Sequence, residues 1–262
     1  MTNVKIFGER NTATNALRQI VEKNSASRVL PSMAREIDGS IDQRLKFWNR
    51  IGRGTCKLDP YFHIRMRERS IDRIFAGRGA DHAWKHTATR FERPDSLQGT
   101  LILFCVRNPY SWLLSLFKNP YHLISSCPNR LEDFLDFDWH LVGRDNLPYR
   151  SLTPLQLYEE KLKSYLALME RAEEEGFTVK VVRFEDIILR QDNVYDDIAP
   201  HLKDPARTFV PLNASTKAKD KNIDFYKIYY GNELWREEIG PVMPQITRRI
   251  SKELFGTFAY QL

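Results

Sequence analysis

Three stretches of the chain carry side chains whose type and spacing suit a bound anion. The first is Gly8-Glu9-Arg10-Asn11-Thr12-Ala13-Thr14-Asn15, between the apolar residues 4–7 and a helical pattern that begins at Thr12. A turn that enters a helix aims successive backbone N–H groups, and the positive end of the helix dipole, at one point. Arg10 adds a planar guanidinium fork. The glycine and Lys-Ser/Thr pair that close a Walker A loop are missing. Capping of the helix by Thr12 or Thr14 is the plain structural alternative. The second stretch runs from Arg107 through Asn108-Pro109-Tyr110 to Ser115. An arginine at a strand end and a hydroxyl two turns into the next helix can clasp one phosphate between them. An arginine that simply bonds a helix end is the competing reading. The third is Trp84-Lys85-His86, where an imidazole of ordinary pKa, near ~6.5, would take a proton at neutral pH. Glu9 and Glu92 are reserve bases, and His63, His82, His122, His140 and His201 lack comparable context.

These residues need elements to hold them. Residues 4–7 read as a short strand that stops at Gly8, and residues 12–24 as a helix with Ala16, Leu17, Ile20 and Val21 on one face. Residues 82–85 read as another short strand. The run TLILFCV at 100–106 fits a central parallel strand buried on both faces. It would put Arg107 at a carboxyl end, where open α/β sheets bind ligands. Pro109 suits the first turn of the helix that follows. Thr153 and Pro154 open a helix with Leu155, Tyr158, Leu162, Tyr165, Leu166 and Met169 in an apolar stripe. Gly176 ends it, and residues 177–183 form a strand. Further helices are expected at 193–201, 225–239 and 245–254, with a polar loop at 213–222. Residues 40–78 hold ten Lys or Arg against four acids. Two helical patterns there suggest an insertion or lid between the first two strands, with an ordinary basic surface pair as the alternative. Its aromatics are too sparse for single-stranded nucleic acid. The expected fold class is α/β: a three-layer sandwich with a central, mainly parallel sheet flanked by helices. It forms one domain over 1–262, with the insertion at 40–80.

Composition sets outer bounds. In 262 residues there are 40 Lys+Arg and 34 Asp+Glu, a formal net charge of +6, which suits an anionic ligand such as a nucleotide. Apolar residues at 42% and charged residues at 28% are globular values. No apolar run is long enough for a membrane span, and no secretory pattern opens the chain, so a cytoplasmic protein with no membrane partner is expected. Cys56, Cys105 and Cys127 have no CxxC spacing, which argues against a disulfide framework or a structural zinc. No metal is expected.

FGERNTATN after a first strand and LFCVRNPYSWLLS after a later one, with Val181-Val182-Arg183-Phe184-Glu185-Asp186 following in order, resemble the sulfotransferases that use 3′-phosphoadenosine 5′-phosphosulfate (PAPS). The resemblance spans residues 4 to about 190 and implies a P-loop-like sulfotransferase fold. It implies that Arg10, Asn11, Thr12, Ala13, Thr14 and Asn15 bind the 5′-phosphosulfate and that Arg107 and Ser115 bind the 3′-phosphate. It makes His86 the catalytic base, with Arg10 and Lys85 stabilising the leaving phosphate. Lys217 stands in a late basic loop that covers the 3′-phosphate in relatives. Ala13 stands where the family places glycine, and an alanine there is strained if the loop needs a positive φ. The implied acceptor is a hydroxyl or amine of a small molecule or carbohydrate, not a nucleic acid. A P-loop kinase and a non-catalytic nucleotide-binding relative are the alternatives.

Overall fold

The computed structural model describes residues 2–55, 59–214 and 222–261. The chain runs β1 (Asn3–Gly8), α1 (Thr14–Asn24), β2 (Arg28–Val29), α2 (Ala34–Ile37), α3 (Ile41–Thr55) and α4 (Phe62–Phe75). It continues with β3 (Thr100–Val106), α5 (Pro109–Lys118), α6 (Leu131–Phe134), β4 (Trp139–His140), β5 (Ser151–Leu152) and α7 (Pro154–Glu170). Then come β6 (Thr178–Arg183), α8 (Phe184–Leu189), α9 (Gln191–Ile198), α10 (Ile223–Gly231), α11 (Trp235–Ile239), α12 (Met243–Arg249) and α13 (Lys252–Thr257).

Four strands form a parallel sheet in the order β2-β1-β3-β6, while β4 and β5 make a separate antiparallel pair. Every residue of β3 is buried, as its unbroken apolar run demands. Pairing Gly8 with Cys105, and Val106 with Arg183, brings the carboxyl ends of β1, β3 and β6 to one edge. Helices cover both faces, an arrangement compatible with a three-layer sandwich. On one face Val4, Ile6, Leu101, Leu103 and Val182 pack under Leu17, Ile20 and Val21 of α1 and Val194, Tyr195 and Ile198 of α9. On the other, Phe7, Ile102, Phe104 and Val106 pack under Trp112 and Leu113 of α5 and Tyr158, Leu162 and Tyr165 of α7.

The cap signals work as read. The Asn108 side chain accepts from the Tyr110 amide at 3.0 Å ahead of Pro109. Thr153 and Gln156 form a reciprocal capping box around Pro154. Gly176 closes the turns after α7 at φ +71°. Two expected helices are each broken: α10 and α11 are split by a turn, and α12 stops at the extended Ile250 before Ser251 caps α13.

Residues 82–85 are not a strand. A 3-10 turn occupies Ala80–His82, and the segment makes single backbone bonds instead of a ladder: Gly8 N to Lys85 O at 2.8 Å and Lys85 N to Ser32 O at 3.2 Å. The reason lies on β1. Lys5 is fully buried, and its ammonium donates to the carbonyls of Pro31 (2.5 Å), Asp81 (2.7 Å) and Ala83 (2.7 Å), so the segment is anchored by a side chain at Ala83. Because β2 precedes it, the insertion falls between β2 and β3 and not between the first two strands. Its helices α3 and α4 pack together, and Trp48 Nε1 donates to Ser70 Oγ at 3.0 Å. Among the described residues, no helix is long and apolar enough to cross a membrane.

Candidate functional site

The loop from β1 to α1 is shaped by two left-handed residues, Asn11 at φ 68° and Ala13 at φ 64°. For a residue with a Cβ this conformation costs about 1–2 kcal/mol, less for Asn. The strain expected at Ala13 is therefore present. Gly8 has no such φ but is required sterically, because a Cβ there would lie 2.6 Å from Thr12 Oγ1 and 2.7 Å from both Cβ and O of Cys105. Neither Thr12 nor Thr14 caps α1. Thr12 Oγ1 donates to Glu9 O at 2.6 Å, and Ala13, at the cap position, has no side chain to offer. The amides of the first helical turn are left uncapped by side chains, at the carboxyl end of β1.

Arg10 does not extend into solvent. It is 3% exposed, its Nη1 donates to Glu9 Oε1 at 2.8 Å, and its guanidinium lies 4.7 Å from the centre of the Trp84 ring. Behind it is a fully buried ammonium, Lys161 of α7, which ion-pairs with Glu9 and donates to Asp145 Oδ1 at 2.6 Å and His86 O at 2.5 Å. Burial alone would raise the Asp145 carboxyl, but Lys161 and Arg10 hold it down at about 2. Neither Asp145 nor Lys161 was expected at the site. The readable signal was a lysine three residues after Tyr158 and four before Tyr165, on the buried stripe of α7.

Lys85 and His86 meet the loop from its other side. Lys85 Nζ donates to Asn15 Oδ1 at 2.5 Å, at the first turn of α1. His86 Nδ1 lies 2.6 Å from Gly8 O; a carbonyl only accepts, so the proton sits on Nδ1 and Nε2 keeps its lone pair. Burial, then the positive charges of Lys85 and Arg10, push the imidazole well below its usual pKa of 6.5, so it is neutral at pH 7. A second imidazole, His122, stands near. Its Nδ1 is 2.9 Å from Glu68 of α4, and Glu68 also pairs with Arg144.

Arg107 follows β3 directly. Its backbone amide and carbonyl both bond the Tyr158 hydroxyl, at 2.7 and 2.9 Å. Its guanidinium lies 4.0 Å from the Phe184 ring centre and donates to Ser111 Oγ (3.0 Å), Asn11 O (2.8 Å) and Tyr230 Oη (2.8 Å). The last partner and the Ser111 hydroxyl were not anticipated. Trp112 Nε1 ties the same helix to Arg10 O at 2.8 Å. Beside Arg107 opens a cavity of about 510 Å³. Asn11 and Ala13 of the loop, Arg107, Ser111, Ser115 and Lys118 line it, with Phe184, Tyr226, Tyr230 and Trp235 among its aromatic walls.

The structure thus brings Arg10, Asn11, Thr12, Ala13, Thr14, Asn15, Lys85, His86 and Arg107 to the aligned strand ends, with Ser115 on the cavity wall. Of the expected residues Asn11, Ala13, Arg107 and Ser115 line the cavity, and Arg10, Thr12, Thr14, Asn15, Lys85 and His86 do not. Glu9 is buried between Arg10 and Lys161, Glu92 is exposed, and Lys217 and Cys56 lie outside the described residues. No protein-family model matches the chain, and no curated protein resembles it significantly in sequence.

Proposed function

We propose that this chain is a transferase that moves a sulfonate group from PAPS to a hydroxyl or amine of a small-molecule or carbohydrate acceptor, on a P-loop-like sulfotransferase fold. One observation carries the reading. Two segments nearly a hundred residues apart, the loop with Asn11 and Ala13 and the β3–α5 corner with Arg107 and Ser115, line one cavity at the carboxyl ends of parallel strands. Its volume, about 510 Å³, falls in the range of small-ligand sites, and its aromatic walls suit a purine. A guanidinium has five N–H groups, and Arg107 donates to three partners, so it retains donors for a phosphate.

The residues divide the work by position. The uncapped first turn of α1 receives the 5′-phosphosulfate end, and Arg107 with Ser115 receives the 3′-phosphate. Lys85, held at Asn15, puts a positive charge beside the phosphate oxygen that gains charge when the bond to sulfur breaks. Losing one such donor costs about 10²–10³ in rate. His86, with its lone pair on Nε2, is the base that the resemblance implies, and its tautomer is already set by Gly8.

The test is a thermal shift with 3′-phosphoadenosine 5′-phosphate (PAP) against ATP with magnesium, followed by sulfur-labelled donor with a panel of acceptors. Stabilisation by PAP is the expected result. Arg107→Ala removes charged hydrogen bonds of about 1.5–3 kcal/mol and should weaken that binding about 10- to 100-fold. Stabilisation by ATP–magnesium alone overturns the reading in favour of a phosphotransferase.

A further inference from the structure

Two imidazoles meet the Trp84 indole edge-on: His86 at 5.0 Å and 87°, His122 at 5.9 Å and 70° between rings. They differ in what their Nδ1 meets. His86 faces Lys85, Arg10 and Lys161, and its Nδ1–H is spent on a neutral carbonyl. A proton taken up at Nε2 would add a positive charge with no carboxylate on its ring, since Glu9 and Asp145 are engaged with Arg10 and Lys161. His122 has a carboxylate against its ring. Glu68 Oε2, on a side chain only 8% exposed, lies 2.9 Å from His122 Nδ1. The proton is therefore held on Nδ1, and Nε2 carries the lone pair, on a side chain that is 24% exposed.

The charged groups around His122 come from several elements. Glu68 belongs to α4, and Arg144, from the 3-10 turn Gly143–Asp145, bonds Glu68 and reaches to 3.4 Å from His122 Nδ1. Arg10 lies across Trp84, and Tyr121, next in sequence, bonds Asn11 Oδ1 at 3.4 Å. Burial, then Arg10 and Arg144, lower the imidazole below 6.5 while Glu68 opposes them, so His122 is neutral at pH 7. His122 and Glu68 therefore have the geometry of an oriented base, within one residue of a direct contact to the anion loop.

We propose that His122, oriented by Glu68, and not His86, is the general base that activates the acceptor, an assignment that rests on the transferase reading above and changes only its base. Nε2 takes the proton of the acceptor O–H or N–H as the acceptor atom bonds to sulfur. The bond from sulfur to the bridging phosphate oxygen breaks, and its electron pair leaves with PAP. The imidazolium that forms keeps its Nδ1–H on the Glu68 carboxylate, which stabilises it in the way an oriented carboxylate supports a catalytic histidine. His86 stays neutral and holds the end of β1 through Gly8. The helical insertion is then part of the active site, because α4 supplies the carboxylate.

The experiment follows release of labelled sulfate from the donor to water, and its transfer to sugar, phenol and amine acceptors, beside PAP binding measured by thermal shift. His122→Asn should lower transfer about 10²–10⁴-fold while PAP stabilises it as it does the unaltered protein. Glu68→Gln should lower the rate and move the acid limb of the pH–rate profile to lower pH, because an imidazolium without its carboxylate gives up its proton more readily. A purely structural role for Glu68 would not move that limb. Full transfer by His122→Asn, or loss confined to His86→Asn, overturns the dyad and leaves the transferase reading standing. PAP binding without transfer in the unaltered protein also overturns the dyad. Absence of both binding and transfer overturns the transferase reading, and the dyad with it.

Discussion

Lys161 offers the sharpest test of how the site is held. Its ammonium is fully buried and serves Glu9, Asp145 and the His86 carbonyl at once. Lys161→Met keeps much of the volume but leaves two buried carboxylates with Arg10 as their remaining cation. Breaking a buried pair in this way costs about 3–5 kcal/mol, since an uncompensated charge stays in the interior. For a chain of this length about 1 kcal/mol corresponds to roughly 2–4 °C, so the melting temperature should fall by about 6–20 °C at pH 7. The pH dependence supplies a second check. Without Lys161 the Asp145 carboxyl loses the main cause of its low pKa and binds a proton more readily in the folded state. The deficit of the variant should then shrink as pH falls from 7 toward 5, and adding Glu9→Gln should restore part of the loss. Differential scanning calorimetry across that range measures both. A melting temperature unchanged at pH 7, or a deficit that grows on acidification, would refute the network.

Other expectations follow from single residues. Ala13→Gly relieves a left-handed residue at about 1–2 kcal/mol against about 0.5–1 kcal/mol of added backbone entropy, so denaturant unfolding should report a gain of about 0.5–1 kcal/mol. A loss would mean that the half-buried methyl matters more than the strain. Gly8→Ala drives a Cβ into Cys105 and Thr12, and equilibrium unfolding should report a loss of about 1–3 kcal/mol. In acid, Glu68 and Asp145 set the behaviour. Against their burial, His122 and Arg144 hold Glu68, and Lys161 and Arg10 hold Asp145, at about 2. Their stabilisation is complete above the ordinary values of 4.5 and 3.8 and disappears as pH falls toward about 2. It is on the order of 2–3 kcal/mol each, and a pH series of melts in which Glu68→Gln and Asp145→Asn lose the low-pH slope would verify it.

What could be read from the sequence had a local cause. The strand at β3 announces itself because burial on both faces favours the six apolar residues in a row from Leu101 to Val106. Helices α5 and α7 announce their starts through Asn108-Pro109 and Thr153-Pro154, where cap and helix lie within three residues. The strain at Ala13 was legible because a methyl disfavours the left-handed conformation that the loop adopts there. What escaped depends on contacts between distant segments. Two residues, Arg28 and Val29, are too few to show a strand period, yet they pair with β1. Residues 82–85 have the composition of a strand, yet the carbonyl of Ala83 is taken by the Lys5 ammonium, some eighty residues earlier. The placement of Arg107 at a strand end was foreseeable from β3 alone. Its partners Tyr158 and Tyr230 were not, because they arrive from α7 and α10. His122 sits in an irregular segment with no period at all, and its carboxylate comes from the insertion.

The same Lys5 nitrogen has a further consequence for how this molecule can vary. Pro31 hands the chain out toward α2, and Ala83 brings it back after α4, yet both carbonyls lie within 2.7 Å of one atom. Exit and re-entry are stitched at a single knot, so the roughly fifty residues beyond it leave and return at one point, and closing such a loop costs little more when it lengthens. Descendants could vary the length of that appendage without moving the strands beneath.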